Sequence, residues 1–140
     1  LLLDRMVPPN TNVICVPIEK EHAVSFGSPG TWDGSRTEFR TYVEAAHMLA
    51  SCEGCVDVAI VDGRARGDCA LEILPYLRKD SVLFIHDYLP ERIGGRDAYG
   101  KALIAYDMIE VLKTQPSKPW RMGGGLAIMQ PKPDVWEKVR

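Results

Sequence analysis

Two short apolar runs that break off at acids constrain this chain more than any other feature. Residues 56–61, VDVAIV, are interrupted only by Asp57 near their entrance and stop at Asp62. Residues 81–85, SVLFI, stop at His86-Asp87. Between them Cys69, Ala70, Ile73, Leu74 and Leu77 recur at helical spacing. A strand, a helix and a second strand in that order form a parallel pair with a crossover. Strands apolar on both faces suit a sheet covered on both sides.

The alternation continues in both directions. NTNVICVPI (10–18) reads as an earlier buried strand, and FGSPGTWDG (26–34) as turn chemistry. Ser35 with Glu38 has capping-box spacing and opens a helix whose apolar stripe is Phe39, Tyr42, Val43, Ala46, Leu49 and Ala50. His47 falls at the edge of that stripe, a boundary or solvent position. Pro75 ends the next helix early, and Arg78, Lys79 and Asp80 make a polar turn. Residues 99–105 read as a short helix. YDMIEVLKT (106–114) alternates as a strand, with Met108, Glu110 and Leu112 on one side and Ile109, Val111 and Lys113 on the other. A helix over 99–113 is the competing reading. GGGLAIMQP (123–131) is a last strand, and the long loop before it predicts an antiparallel hairpin. The whole is an α/β pattern of one domain, residues 1–140.

Composition narrows function by exclusion. A formal net charge of -2 offers no electrostatic footprint for nucleic acid or an anionic membrane. The apolar runs fall far short of the ~20 residues that span a bilayer. The opening LLLDR is too short for a signal-peptide core. It reads as the last turn of a helix whose earlier turns are absent, which makes the chain a piece of something longer. Cys52 and Cys55 form a CxxC, half a zinc site or a redox pair by spacing, expected here as a reduced pair in a turn. Cys15 and Cys69 sit in apolar runs as packing residues. Cys69 also stands near a helix start, where the dipole would lower its pKa.

In open parallel sheets the ligand crevice lies beyond the carboxyl ends of the strands. If the strands ending at Asp62 and at His86-Asp87 are neighbours, ~5 Å apart, their end groups meet at one spot. Acids there serve as metal ligands, bases or hydrogen-bond acceptors. Gly63 fits a tight exit turn. In the plainer alternative Asp62 caps the following helix, with Arg64 and Arg66 solvated or ion-paired. No GxGxxG follows a strand, no GxxxxGK[ST] occurs, and no serine stands in a GxSxG elbow. Gly94-Gly95 either lets its loop move over a ligand or only turns the chain.

VDVAIVDGRAR, LRKDSVLFIHDY and YDMIEVLKT…GGGLAIMQPK together resemble the later half of class I S-adenosylmethionine-dependent methyltransferases. The resemblance runs from about residue 10 to 133. It implies a Rossmann-like three-layer sandwich, a mostly parallel sheet ending in an antiparallel hairpin and incomplete at its N-terminus. It also implies a cofactor contact by Glu19, Asp62 and Gly63, with Asp62, His86 and Asp87 as catalytic residues. Asp62 and Asp87 would hold a divalent cation such as Mg²⁺, with His86 as base where the imidazole is too soft a ligand. Arg64 and Tyr88 would contact a small-molecule or sugar-type acceptor. The glycine-rich turn and second-strand acid of that family have no counterpart here, so weak or no S-adenosylmethionine binding by this chain alone and self-association through an exposed sheet edge are expected. The competing readings are a catalytically inactive Rossmann-like interaction module and a nucleotide or sugar-nucleotide enzyme of similar topology.

Overall fold

The computed structural model describes residues 39–49, 54–63, 65–88, 99–113 and 125–139. The expected strand at 10–18, the turn at 26–34 and the capping box at Ser35 lie outside them. Helix α1, Arg40–Val43, tightens into a 3-10 segment, Glu44–Leu49. Strand β1, Val56–Val61, leads to α2, Arg66–Ile73. Pro75 cannot donate to an α-helical ladder, and α2 gives way there to a 3-10 turn, Leu74–Tyr76. Strand β2 is Leu77–Tyr88. A 3-10 turn, Tyr99–Lys101, runs into α3, Ala102–Ala105. Strands β3, Tyr106–Lys113, and β4, Gly125–Pro131, follow, and helix α4, Pro133–Val139, comes last.

The strands form one sheet in the order β1-β2-β4-β3. The β1–β2 pair is parallel, and β2–β4 and β3–β4 are antiparallel. The described residues therefore form an α/β fold with a mixed four-stranded sheet, only partly parallel where a mostly parallel one was expected. The competing helix over 99–113 is excluded, since residues 106–113 are a strand. Register places Ala59, Val61, Leu83, Ile85, Ala127, Met129 and Tyr106 on one face. All but Ala59 are buried, and they pack with Ala70, Leu74, Tyr99, Ala102 and Ala105 from the helical side. Burying a Leu or Ile contributes about 1.5–3 kcal/mol, so this face carries most of the described core.

The opposite face presents Val58, Ile60, Val82, Phe84, Leu126, Ile128 and Leu112. None joins a buried cluster among the described residues, and Ile60 is 71% exposed. The described residues thus make two layers where the sequence pattern predicts three. Strand β1 is an edge of the described sheet.

Two local irregularities shape the sheet. Val56 pairs with Leu77 and Val58 with Val82, so three extra residues of β2 leave the ladder. The exposed Arg78, Lys79 and Asp80, read from sequence as a turn, make up that excursion. Ser81 closes the gap: its hydroxyl donates to the Val56 carbonyl at 2.5 Å and accepts from the Arg78 N–H at 2.7 Å. In β3 a shift between Met108 and Glu110 puts Met108 and Val111 on the core face together. The simple alternation expected for this strand therefore breaks at Ile109.

Helix α4 has no counterpart in the sequence reading. Pro133 at its start, Asp134 in its first turn and Lys138 in its last suit a short helix. The Trp136 indole N–H donates to the Leu77 carbonyl at 2.9 Å and ties α4 to the sheet. No helix among the described residues is long and apolar enough to cross a membrane.

Candidate active site

Strands β1 and β2 are parallel neighbours, so their carboxyl ends share a rim. Asp62 follows β1 directly. Its carbonyl accepts from the Tyr42 hydroxyl at 3.0 Å, which pins the exit turn to α1. Gly63 has φ +139, and a Cβ there would run into the Tyr42 phenol. Glycine is needed for both reasons. The N-cap of α2 is Ala65, held in the left-handed region with no side-chain cap. Asp62 therefore does not cap this helix, whereas the other half of the plainer alternative, an ion-paired Arg66, is what the structure has.

His86 and Asp87 close β2. In a regular strand their side chains would leave opposite faces. Between Ile85 and Tyr88 the pairing with β4 slips by one residue, and Asp87 takes φ +53. This bulge re-aims the pair. Asp62, His86 and Asp87 each bring one ligand-type atom to within 4.8 Å of the others. His86 Nδ1 lies 3.2 Å from Asp62 Oδ1 and 3.7 Å from Asp87 Oδ2. All three side chains are exposed.

Beneath them lies a buried frame that sequence reasoning missed. The Arg66 side chain is 9% exposed, and its Nη2 stands 3.8 Å from Asp62 Oδ1 and 3.7 Å from Asp87 Oδ2. Its Nη1 donates to the Tyr99 hydroxyl. The guanidinium carbon sits 5.6 Å from the centroid of the Tyr99 ring, within cation–π range. The Tyr99 hydroxyl donates onward to the Asp87 carbonyl at 2.9 Å. One tyrosine thus holds both the guanidinium and the left-handed residue. The one sequence signal for this frame is the position of Arg66, four after Asp62. Nothing in the sequence places Tyr99 beside it.

Other expected site residues fare differently. Glu19 and Arg64 lie outside the described residues. Tyr88 is 2% exposed, packed edge-on against Tyr99 at 5.3 Å between ring centroids, and burial raises its pKa. Its ring belongs to the core, not to a surface that an acceptor could touch. Cys69 lies within α2, and burial foremost, aided by Asp68, pushes its thiol up to about 12. The lowering expected from a helix dipole is overturned, and the packing role stands. Cys55 is disulfide-bonded, where a reduced turn pair was expected. His47 is exposed and bonded to Glu72 at 2.6 Å, as suits its boundary position. A cleft of about 380 Å³ runs beside β1, lined by Tyr42, Ala46, Leu49, Ala59 and Ile73, with Asp62 as its charged member. That volume is in the range of small-molecule sites.

The cluster's donor set is a poor match for Mg²⁺. That ion takes six oxygen ligands in near-ideal octahedral geometry at 2.0–2.1 Å. Here one of three donors is an imidazole, and Arg66 already offsets one of the two carboxylate charges. At an effective dielectric near 20, unit charges about 4 Å apart interact by ~4 kcal/mol, and a divalent ion doubles the repulsion from Arg66. Compared with family models, curated proteins and solved structures, the chain matches none.

Proposed function

We propose that this chain belongs to an S-adenosylmethionine-dependent methyltransferase and supplies the acceptor side of its site. The reaction moves a methyl group to an oxygen or nitrogen nucleophile of a small-molecule or sugar-type acceptor. The observation that carries this reading is the convergence of Asp62, His86 and Asp87 at the carboxyl rim of two adjacent parallel strands. The insertion of the last strand, antiparallel, between β2 and β3 supports it, as does the cleft beside Asp62.

A carboxylate only accepts hydrogen bonds. In the neutral His86 ring, the contact with Asp62 places the proton on Nδ1 and leaves the Nε2 lone pair for the acceptor. Bound S-adenosylmethionine would supply an electrophilic sulfonium methyl, which the acceptor oxygen or nitrogen would take as the carbon–sulfur bond breaks and S-adenosylhomocysteine departs. The acceptor proton passes to His86 Nε2. Asp62 orients the imidazole, and Asp87 accepts a hydrogen bond from a second O–H or N–H of the acceptor and aligns it. Alignment of donor and acceptor supplies most of the acceleration in such a displacement.

The test supplies methyl-labelled S-adenosylmethionine and a panel of phenols, sugars and amines to the full-length polypeptide. Label transfer that disappears in the double variant Asp62→Asn, Asp87→Asn is expected. Transfer undiminished in that variant, or no transfer to any acceptor together with no binding of S-adenosylmethionine, overturns the reading.

A further inference from the structure

We propose that Arg66 is the resident cation of this rim, and that the Asp62–Asp87 pair takes no divalent metal ion. Two carboxylates at one rim need a positive partner, which is either a bound metal ion or a basic side chain. Here the basic side chain comes from beneath. Arg66 is 7% exposed overall, yet its guanidinium approaches both acids, at 3.8 and 3.7 Å.

What makes this arrangement more than a surface ion pair is that Arg66 is held in place. Nη1 is bonded to the Tyr99 hydroxyl, and the Tyr99 ring lies under the guanidinium. Tyr99 is itself fully buried and bonded to the Asp87 backbone. A divalent ion between the acids would sit against a guanidinium that cannot withdraw, since withdrawal breaks the tyrosine bond and strands the charge in the core. Removing one partner from a buried charged contact is costly, because the remaining groups lose both water and partner. The closed circuit of Arg66, Tyr99 and Asp87 therefore holds the acids at one spacing and occupies their electrostatic role. His86 fits the same scheme. Its imidazole is mismatched as a ligand to a hard cation.

This inference concerns the cation alone. A metal-assisted version of the methyl-transfer reading survives its failure, and the inference survives the failure of that reading. The probe is Mn²⁺ titrated into the full-length polypeptide, followed by the electron paramagnetic resonance signal of the unbound ion. The wild type is expected to leave that signal undiminished at millimolar Mn²⁺. Arg66→Met, which keeps bulk and removes charge, is expected to bind at least about tenfold tighter than wild type, with that gain lost when Asp62→Asn is added. Arg66→Lys keeps the charge and is expected to exclude the ion as the wild type does. Tight binding by the wild type that Asp62→Asn abolishes overturns the proposal, and this arm stands even if Arg66→Met does not fold. A folded Arg66→Met chain that binds Mn²⁺ no better than wild type also overturns it.

Discussion

Helix α2 carries two carboxylate–cation clusters, and they are built in opposite ways. On one side Lys101 Nζ donates to both oxygens of Asp68, at 2.8 and 3.0 Å, and the acid is nearly buried. On the other side the cation, Arg66, is buried and the acids are exposed, 59% for Asp62 and 56% for Asp87. The contacts there lie beyond direct hydrogen-bond reach. In the Asp68 cluster both carboxylate oxygens accept from Lys101 and join α2 to the Tyr99–Lys101 turn. In the rim cluster the charge is compensated from below while the carboxylate oxygens stay open to solvent. The first arrangement holds the fold together, and the second leaves acceptor atoms free to meet a ligand.

That contrast can be broken by substitution. The largest effect expected is on turnover: Asp62→Asn with Asp87→Asn lowers methyl transfer by about 10²–10⁴-fold, the usual contribution of positioned acid–base groups. Stability falls by roughly 1 kcal/mol, because the buried Arg66 loses both counter-charges, at 3.8 and 3.7 Å. Label transfer and a urea melt on the same preparations check both halves. A large loss of stability would show that the rim is structural after all. Next, Asp68→Asn is expected to cost about 1–3 kcal/mol, the worth of hydrogen bonds to charged groups. A shift in urea midpoint reads it, with the turnover of the folded fraction unchanged.

Tyr99→Phe sharpens the comparison, since Tyr99 neighbours Lys101 in sequence and serves the rim in space. Losing its hydroxyl costs about 1 kcal/mol and loosens Asp87, so kcat falls while KM moves little. Equal stability and kcat in the variant would remove Tyr99 from the frame. An effect on stability alone comes from burial. Between pH 9.0, the ordinary value, and about 12, the folded chain keeps the Cys69 proton that the unfolded chain releases. The buried Tyr106 hydroxyl, donating to the Ala70 carbonyl at 2.6 Å, is raised likewise. The folded state then binds more protons, so stability falls as pH rises through that window. Thermal melts from pH 8 to 11 check the slope. Alkylation of Cys69 in the folded chain is expected to be slow throughout.

Several elements are legible in the sequence because their signals are local. The apolar run at 56–61, Pro75 ending α2, the strand at 106–113 and the hairpin to Gly125–Pro131 each follow from periodicity and breakers in a few neighbouring residues. Helix α4 carries a fainter signal of the same kind, a proline start with charges matched to its dipole over only seven residues. The bulge that re-aims His86 and Asp87 is not legible. It depends on how Tyr88 and Gly125 pair across strands far apart in sequence. The turn expected at Arg78–Asp80 is a three-residue excursion inside β2, because Ser81 can bond Val56 of the neighbouring strand.

By itself the sequence determined where the chain turns polar at the ends of its apolar strands, since alternation and charge are properties of neighbouring residues. Only the tertiary structure decided that the acids at 62 and 87 share one guanidinium. That guanidinium comes from α2 and is anchored by a tyrosine 33 residues further on. Such a meeting is set by sheet register, a one-residue bulge and the packing of α2 beside the Tyr99–Lys101 turn. None of these distances is written in the spacing of the residues that they bring together.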